Sequence, residues 1–551
     1  MGTENDSIRR ARAALSDAAD ALAAARPDAS ERVVESLRLA ARELGRVEQL
    51  DQRFRAEQRM FDERLLRVEN NRLFTWWKRI ISAVAPFAPG KPDREEAAGY
   101  PLWLAHEKAS SPSPAQALDT IRQWAVQPTI SFVPEPGAEA ELRRGVSAQV
   151  YPHVELAESV EHCRGDWVCF VGRDCEPSAW AAYYLGEAVQ RQACDAVYAD
   201  EDEIQSGVRC RPVFKPGWSP ELLQSCMYWG SMFTIRRELL GRGRDGVLHA
   251  LALDGARQTD RIVHIPRVLC HAGTRLQIYP QRTSGDHDGP ATAVVCSRNA
   301  ALLSRCLKSL RSTASRQITG VIVVAHEETG VNEDLRAVAT NAGASVESYT
   351  GPFNFSLMNN LGAAAANTPY LLFINDDVTA SAAGWAQQLL YYVSRERVGV
   401  AGAVMWYPNG GIQHAGIVTG IGDGVGHAGR GSKGSNMWPW LLATREVSAV
   451  TGACLAIRTD LFRRLGGFDP EFPNNYNDVD LCLRTRELGL DVVCVAVDGL
   501  VHAECQTRKG VVHFDERYKL YRRWSSVLAR TDPYYSPSLA PTETITLNLK
   551  S

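Results

Sequence analysis

The chain has 551 residues, a formal net charge of -3, 45% hydrophobic residues and 23% charged residues, which is enough length for roughly three domains. The balanced charge argues against a nucleic-acid partner, no apolar run of about 18 residues predicts a transmembrane helix, and the N-terminal MGTENDSIRR lacks the apolar stretch of a secretory signal. The 13 cysteines are scattered without a Cys-x-x-Cys pair, so we expect reduced thiols and a cytoplasmic protein.

Residues 1–90 are predicted to form a helical region. Apolar residues fit a heptad register between Leu37 and Val68, which is typical either of a coiled coil that joins subunits or of a helical hairpin packed on its own chain. The following TWWKRIISAV has an apolar helical face flanked by basic residues, which fits either a peripheral helix at the inner membrane face or a helix docked on a neighbouring domain. Residues 91–128 carry Pro, Ser and Gly and predict a linker.

From about residue 129, short apolar strands alternate with helices, which predicts an α/β fold with a mostly parallel sheet. Three segments recur in the same order, at 165–174 and 368–377, at 231–240 and 453–462, and at 268–275 and 500–508. We therefore predict two tandem copies of one domain, at residues 129–285 and 286–535, followed by a tail at 536–551.

In the second copy, polar residues follow the predicted strands. These are Ser297 and Asn299 after the first strand, His326 and Glu327 after the second, and Asn375, Asp376 and Asp377 after the buried run LLFI. Because ligands of open α/β sheets bind outside the carboxyl ends of the strands, we expect these residues to cluster at one edge.

Two further residues complete the candidate site. Asp478 lies where a helix is expected to begin in NDVDLCLR, a position that suits either a helix cap or a catalytic base. His502 follows the apolar strand LDVVCVAV. Asp377 and His502 together offer one hard oxygen donor and one imidazole, which can hold Mn²⁺ or Mg²⁺ and leave positions for substrate phosphates.

The segments PFNFSLMNN, LLFINDDV, VSAVTGACLAIR, GGFD and NDVDLCLR, together with the His502 segment, resemble glycosyltransferase family 2 enzymes of the GT-A fold in order and spacing. They look most like the bacterial enzymes that build O-antigen, capsule and rhamnose-rich polysaccharides. The resemblance covers about residues 290–535, and a weaker version covers 129–285. It implies a Rossmann-like GT-A domain in two tandem copies.

The resemblance also implies an activity. The family members are inverting, metal-dependent glycosyltransferases of the hexosyl- or rhamnosyltransferase type, which move a sugar from a nucleotide-sugar to a growing cell-surface polysaccharide or lipid-linked glycan. Asp377 and His502 would hold the metal, and Asp478 would act as general base. The nucleotide-sugar contacts that we expect are Ser297, Asn299, Asn359, Asn360, Asn375 and Asp376, with Asn375 in place of the first carboxylate of the family's Asp-x-Asp motif; no acceptor-binding residue is assigned.

The first copy lacks part of this pattern. Gly172-Arg173-Asp174 stands in place of residues 375–377, and GVLHALAL in place of NDVDLCLR, so no carboxylate occupies the base position. We therefore expect a degenerate half that packs or binds acceptor. Two other functions stay open for the chain: a non-catalytic glycan- or nucleotide-binding scaffold of a polysaccharide assembly complex, and a glycoside hydrolase with Asp377 and Asp478 as its acid pair.

Overall fold

The computed structural model describes residues 92–173, 175–240, 248–273, 289–327, 330–422, 424–434, 438–504 and 514–549. The chain divides into two compact units, Met1–Lys91 and Pro92–Ser551. The coiled coil and the amphipathic helix predicted within residues 1–90 lie outside the described residues, and so does Asp174.

Two helices occupy much of the segment 91–128. Helix α1 spans Pro92–Ser110 and helix α2 spans Pro114–Arg122. Both begin at a proline, a residue favoured in the first helical turn because its missing N–H has no helical partner there. Tyr100 and Trp103 of α1 are buried in a core cluster. Much of the segment predicted as a linker is thus helical: Pro92 and Pro114 begin helices, and Pro101 lies inside α1.

The described secondary structure beyond α2 alternates strands and helices. The strands of the first half are β1 (Ile130–Pro134), β2 (Val154–Leu156), β3 (Trp167–Val171), β4 (Cys175–Pro177), β5 (Ala196–Gln205), β6 (Val208–Val213), β7 (Met232–Arg236) and β8 (Ile262–Ala272). Its helices are α3 (Glu139–Ser147), α4 (Ala181–Arg191), α5 (Pro220–Ser225) and α6 (Leu248–Ala256).

The second half continues in the same manner. Its strands are β9 (Ala291–Ser297), β10 (Ile318–His326), β11 (Ser345–Tyr349), β12 (Tyr370–Ile374), β13 (Val378–Ala380), β14 (Val398–Ala403), β15 (Met405–Trp406), β16 (Ile412–His414), β17 (Ile417–Thr419), β18 (Val425–His427), β19 (Arg445–Glu446), β20 (Cys454–Arg458), β21 (Asp491–Val495) and β22 (Leu500–His502). Its helices are α7 (Ala300–Ala314), α8 (Glu333–Asn341), α9 (Phe355–Ala365), α10 (Trp385–Ser394), α11 (Thr459–Arg464), α12 (Asn477–Glu487) and α13 (Phe514–Leu528).

Within the described residues, two eight-stranded sheets carry the fold. The first has the order β2-β1-β3-β7-β5-β8-β4, with β6 paired to β5, and the second has the order β11-β10-β9-β12-β20-β14-β21-β19. Both mix parallel and antiparallel pairs, because β7 and β20 run against their neighbours. The α/β class predicted from the sequence is confirmed.

The two sheets share the arrangement of six strands. The series β2-β1-β3-β7-β5-β8 matches β10-β9-β12-β20-β14-β21 in order, and each neighbouring pair has the same direction in both. Two of the three recurring segments fall on matching strands, β3 with β12 and β7 with β20, whereas the third falls on β8 and on β22 of the smaller sheet. This topology supports the prediction of tandem copies, which stays a prediction.

A smaller sheet lies next to the second one and has the order β13-β22-β15-β16. Strand β12 leads into β13 through residues 375–377, and β21 leads into β22 through residues 496–499. Val378 of β13 pairs with His502 of β22 in antiparallel register. This sheet therefore brings the end of the NDD segment beside His502.

The two halves meet at a buried polar contact. Glu446 of β19 is 2% exposed, and its carboxyl group accepts hydrogen bonds from Ser219 Oγ and, at 3.2 Å, from the backbone N–H of Glu221. Glu221 in turn pairs with Arg395 at 2.5 Å. Because a buried polar group needs partners, this cluster fixes α5 of the first half against β19 of the second.

Cys175 and Cys270 form a disulfide between the neighbouring strands β4 and β8, with their Cα atoms 6.4 Å apart. The expectation of reduced thiols throughout is wrong at this pair, because antiparallel pairing brings together two cysteines that are 95 positions apart in the sequence. No helix in the described ranges combines the length and the apolarity needed to cross a membrane.

Candidate active site

The carboxyl ends of β9 and β12 bring Ser297 and Asp376 together. The two strands are parallel neighbours, with Phe373 opposite Val294. Ser297 and Asp376 each lie three residues further along, so they reach the same edge of the sheet. Ser297 Oγ donates to Asp376 Oδ2 at 2.6 Å. Strand β12 is a fully buried apolar run from Leu371 onward, as expected for a strand covered on both faces.

The next strand, β10, ends beside Ser297, since Ala325 pairs with it in parallel register. His326 is buried, and its Nε2 lies 3.0 Å from the carbonyl oxygen of Gly351. Glu327 accepts two hydrogen bonds from Arg336, at 2.8 and 2.6 Å, and this guanidinium lowers the pKa of Glu327 to about 2. The structure thus places all three strand ends at one edge, with Glu327 already paired as an anion.

Asp377 and His502 form the most distinctive pair of the site. His502 Nε2 lies 3.1 Å from Asp377 Oδ1, and the two side chains are 7% and 11% exposed respectively. Asp377 Oδ1 and His502 Nδ1 are both buried without a hydrogen-bond partner. Since buried polar atoms are nearly always satisfied, the unbonded Asp377 Oδ1 points to a group that binds beside it.

The donor set of this pair fits a divalent cation. Asp377 Oδ1 and His502 Nε2 lie 3.1 Å apart, so a single ion would reach both atoms. Carboxylate oxygen and imidazole nitrogen are both ligands of Mn²⁺. In the described part of the chain, no group of three or more His, Cys, Asp or Glu side chains has an arrangement that could hold a metal ion.

Asp478 is the second residue of α12 and lies at the same sheet edge. Its Oδ2 accepts a hydrogen bond from the backbone N–H of Gly452 at 2.8 Å, and its Oδ1 accepts one from Val479 at 2.8 Å. The carbonyl oxygen of Ala453, the residue after Gly452, accepts a hydrogen bond from the backbone N–H of Asn375 at 3.0 Å. The segment before β20 therefore connects the base candidate to the NDD segment.

The surroundings of Asp478 favour a basic carboxylate. Burial raises its pKa above the ordinary value, and the backbone N–H groups of Gly452 and Val479 act against that rise. A Cβ atom at Gly452 would lie 3.2 Å from the ring of Phe355, so a side chain at this position would have to displace that ring by a few tenths of an ångström.

Asp480, two residues further along α12, has a structural role. It is fully buried and accepts hydrogen bonds from Arg484, Arg523 and Trp524, at 2.8, 2.8 and 3.1 Å. Arg523 and Trp524 belong to α13, so this carboxylate ties α13 to α12. The neighbouring acids of the NDVD segment thus differ in role, because Asp480 is saturated by cations and an indole N–H, whereas Asp478 has backbone donors.

Two histidines behind the site escaped the sequence analysis as a pair. His414 Nε2 accepts from the backbone N–H groups of Gly416 and Thr451, at 3.3 and 3.4 Å, so its proton resides on Nδ1, 3.0 Å from Nδ1 of His427. Burial lowers the pKa of both rings, that of His427 to about 4. This neutral pair supports Thr451, which precedes Gly452, through the hydrogen bond from the Thr451 N–H to His414 Nε2.

Three asparagines predicted as nucleotide contacts make hydrogen bonds to the backbone of the protein. Asn299 caps α7 and accepts from the N–H groups of Ala301 and Leu302. Asn359 donates to Phe355 O at 2.9 Å. Asn360 donates to Phe468 O at 2.8 Å and accepts from Phe468 N at 2.9 Å. Their role toward a nucleotide stays a prediction, as does that of Asn375.

The first sheet has a different arrangement at the matching position. His271 of β8 pairs with Glu176 of β4, as His502 pairs with Val378, but its Nδ1 lies 2.5 Å from Oδ1 of the fully buried Asp202. Helix α6 begins at Leu248 and has no acid in its first turn. In the described residues of the first half, His271 is thus bound by Asp202, and no acid corresponds to Asp478.

Comparison with known proteins finds sequence similarity over much of this chain. Residues 289–526 match the family model described as glycosyltransferase like family 2. The O-antigen biosynthesis protein RfbC of Myxococcus xanthus is 29% identical over 567 aligned positions, which cover 82% of this chain and 43% of that protein. An uncharacterized protein, y4gI, of Sinorhizobium fredii is 27% identical over 514 positions, which cover 80% of this chain and 54% of that protein. The chain thus spans about half the length of these curated relatives.

Two glycosyltransferases of known structure align with part of this chain. GalNAc-T7 with UDP, GalNAc and Mn²⁺ aligns with a TM-score of 0.35 at 12% identity, covering 43% of this chain and 48% of that one. The mannosyltransferase PcManGT of Pyrobaculum calidifontis, in complex with GDP-Man and Mn²⁺, aligns with a TM-score of 0.33 at 14% identity, covering 47% of this chain and 71% of that one.

Proposed function

We propose that the half of the chain that matches the glycosyltransferase family 2 model, residues 289–526, transfers a sugar from a nucleotide-sugar to a hydroxyl group of a glycan acceptor, with inversion at the anomeric carbon. The observation that carries the proposal is the convergence of Asp377, His502 and Asp478 on one sheet edge, where the buried Asp377 Oδ1 makes no hydrogen bond.

Asp377 and His502 are the residues that would hold a divalent cation, Mn²⁺ or Mg²⁺. When bound, such an ion supplies positive charge that stabilises the departing nucleoside diphosphate. Ser297 keeps the neighbouring Asp376 oriented through their 2.6 Å hydrogen bond. The short β13–β22 pairing fixes the backbone beside both ligands, because Val378 follows Asp377 directly and pairs with His502. The protein thus prepares the donor side of the site with its own hydrogen bonds.

Asp478 is the proposed general base. A sugar hydroxyl that attacks an anomeric carbon must lose its proton, and a carboxylate whose pKa is raised by burial accepts that proton more readily than an exposed one. The backbone N–H groups of Gly452 and Val479 hold one oxygen each, and the Thr451 side chain donates to the same carboxylate, so the base is held in a fixed orientation. A single in-line displacement of this kind inverts the anomeric configuration.

For the acceptor we propose a cell-surface polysaccharide or a lipid-linked precursor of one. The support is the name of the Myxococcus xanthus relative, an O-antigen biosynthesis protein. The donor sugar is proposed only as a class, a nucleotide-activated hexose or deoxyhexose.

We further propose that the first half does not catalyse transfer. Its histidine His271 is engaged by Asp202, and α6 has no acid in its first turn. The two histidines at matching strand positions provide a matched pair of variants: His502→Ala should stop transfer, whereas His271→Ala should leave it within a few-fold of wild type if the fold survives. Loss of one of two separable transfer reactions in His271→Ala would instead make the first half an enzyme.

Incubation of the purified chain with a panel of nucleotide-sugars and glycan acceptors, with Mn²⁺ or with EDTA, tests the proposal. We expect Mn²⁺-dependent release of a nucleoside diphosphate and a product whose anomeric configuration, read by proton NMR, is opposite to that of the donor. Donor binding without transfer across the panel would favour the non-catalytic scaffold. Sugar release from a glycan without any nucleotide donor would favour the hydrolase.

A further inference from the structure

Glu516 is a buried carboxylate at the start of α13, only 3% exposed, and it faces a short turn of the catalytic half. Its Oε1 accepts hydrogen bonds from the backbone N–H groups of Asn474 and Asn475, at 2.7 and 2.9 Å, and its Oε2 accepts one from Asn475 Nδ2 at 2.8 Å. A buried charge persists only where donors compensate its lost hydration. All three of these donors belong to two consecutive residues.

Those two residues lead directly into the helix that carries the base. Tyr476 follows them with φ of +63°, in the left-handed region that a non-glycine residue seldom occupies. It is the residue before α12 and makes no side-chain capping hydrogen bond to the helix. Such a conformation persists where the surroundings determine it. Glu516 fixes the two residues before Tyr476, and Asp478 is the second residue after it.

Helix α13 holds α12 on the far side of Asp478 as well. Arg523 and Trp524 donate to Oδ1 of the fully buried Asp480, at 2.8 and 3.1 Å. One helix therefore contacts residues 474–475 and residue 480, and Asp478 lies between these two attachments. A displacement of the first attachment would shift the beginning of α12 with respect to Gly452, the donor that orients Asp478 Oδ2.

We propose that Glu516 is a positioning residue for the transfer reaction: its carboxylate holds the turn Asn474–Tyr476 in the conformation that aims Asp478 at the acceptor hydroxyl. This inference rests on the proposed function, because it gives the carboxylate a role only where Asp478 is the base. Glu516 lies outside the motifs that indicate the family, and its position in the sequence marks it only as an acid in the first turn of a helix.

Three variants of increasing specificity test the proposal. Glu516→Ala removes all three hydrogen bonds. Glu516→Gln keeps an oxygen for the two backbone N–H groups. Its NH₂ group replaces Oε2 and faces the NH₂ group of Asn475, so the third hydrogen bond is lost. The double variant Glu516→Gln with Asn475→Asp restores the third hydrogen bond with donor and acceptor exchanged. Asp515→Asn, at the exposed preceding residue of the same helix, is the matched control.

The full chain is assayed for kcat, for KM of the donor and for donor affinity by calorimetry, with thermal unfolding as the check on folding. Because a small displacement of a reacting group lowers rate far more than binding, we expect kcat to fall about 10- to 100-fold in Glu516→Ala and by less in Glu516→Gln. Donor affinity should stay within about twofold of wild type, and the double variant should recover most of the kcat lost in Glu516→Gln. Asp515→Asn should match wild type.

Wild-type kcat in Glu516→Ala overturns the inference and leaves the proposed function intact. So does a loss of activity that appears wholly in donor affinity or in the folded fraction. If Glu516→Ala does not fold, Glu516→Gln and its double variant decide, since failure of Asn475→Asp to restore kcat also refutes the role. A wild-type chain without transfer on any donor refutes the proposed function, and the inference falls with it.

Discussion

The carboxyl group of Glu446 provides a quantitative test of the contact between the two halves. It is 2% exposed and accepts hydrogen bonds from Ser219 and from the backbone of Glu221. Burial raises its pKa from 4.5 to about 8, and the negative charge of Glu221 acts in the same direction. The folded protein therefore keeps a proton on Glu446 over a pH range in which the unfolded chain has lost it.

The sign of the effect follows from this difference. Stability from a raised pKa is fully present below pH 4.5, the unfolded value, and is lost as the pH rises through about 8. Each pH unit in this interval costs about 1.4 kcal/mol, so the interval of about 3.5 units corresponds to roughly 5 kcal/mol for one fully buried group. Glu446→Gln removes the titration, so its free energy of unfolding should exceed that of wild type increasingly from pH 5 to pH 8.

Urea unfolding of wild type and Glu446→Gln at half-unit steps between pH 5 and pH 9 measures the difference directly, because the other titrating groups are common to both proteins. The control variant is Glu396→Gln, at an exposed glutamate that follows Arg395 in the sequence. Its curve should run parallel to that of wild type. Parallel curves for wild type and Glu446→Gln would refute the reasoning, since they would mean that Glu446 ionises alike in the folded and unfolded chain.

Two further predictions follow from the candidate site. Asp377→Ala and His502→Ala should each abolish the Mn²⁺-dependent part of nucleoside diphosphate binding in calorimetry, because each removes one of the two residues that would hold the ion. Binding that responds to Mn²⁺ as in wild type would contradict the assignment. Asn360→Ala should lower the free energy of unfolding by about 1–3 kcal/mol, because it leaves both backbone groups of Phe468 without partners. Leu357→Ala, on the exposed side of the same helix, should change it by less than about 0.5 kcal/mol; equal losses would contradict the hydrogen-bond argument.

Much of the fold was predictable because local pattern and sheet geometry agree. The apolar run at Leu371–Ile374 indicated a strand covered on both faces, and β12 is buried on both faces. The polar residues after β9, β10 and β12 were expected to meet, since parallel neighbours end at one edge. Ser297 and Asp376 accordingly share a hydrogen bond. Asp478 was predicted near a helix start, and α12 begins one residue before it.

The unpredicted features depend on contacts between residues far apart in the sequence. The hydrogen bonds of the Asn360 side chain to the backbone of Phe468 join residues 108 positions apart, which no local pattern in the sequence indicates. Glu516 bonds a turn 41 and 42 residues before it, and nothing in the turn's own sequence indicates that partner. The sequence predicts a linker where α1 lies, because the apolar residues of this helix become buried only when it packs on the first half.

The most direct test of the central claim is the transfer rate of Asp478→Asn, measured on the donor and acceptor found active with wild type. General base catalysis contributes about 10²- to 10⁴-fold, so the account predicts a loss of at least 10²-fold with metal-dependent donor binding and thermal unfolding close to wild type. Asp460→Asn, an exposed acid on α11, serves as the control and should transfer normally. A folded Asp478→Asn protein that transfers sugar at the wild-type rate would contradict the account.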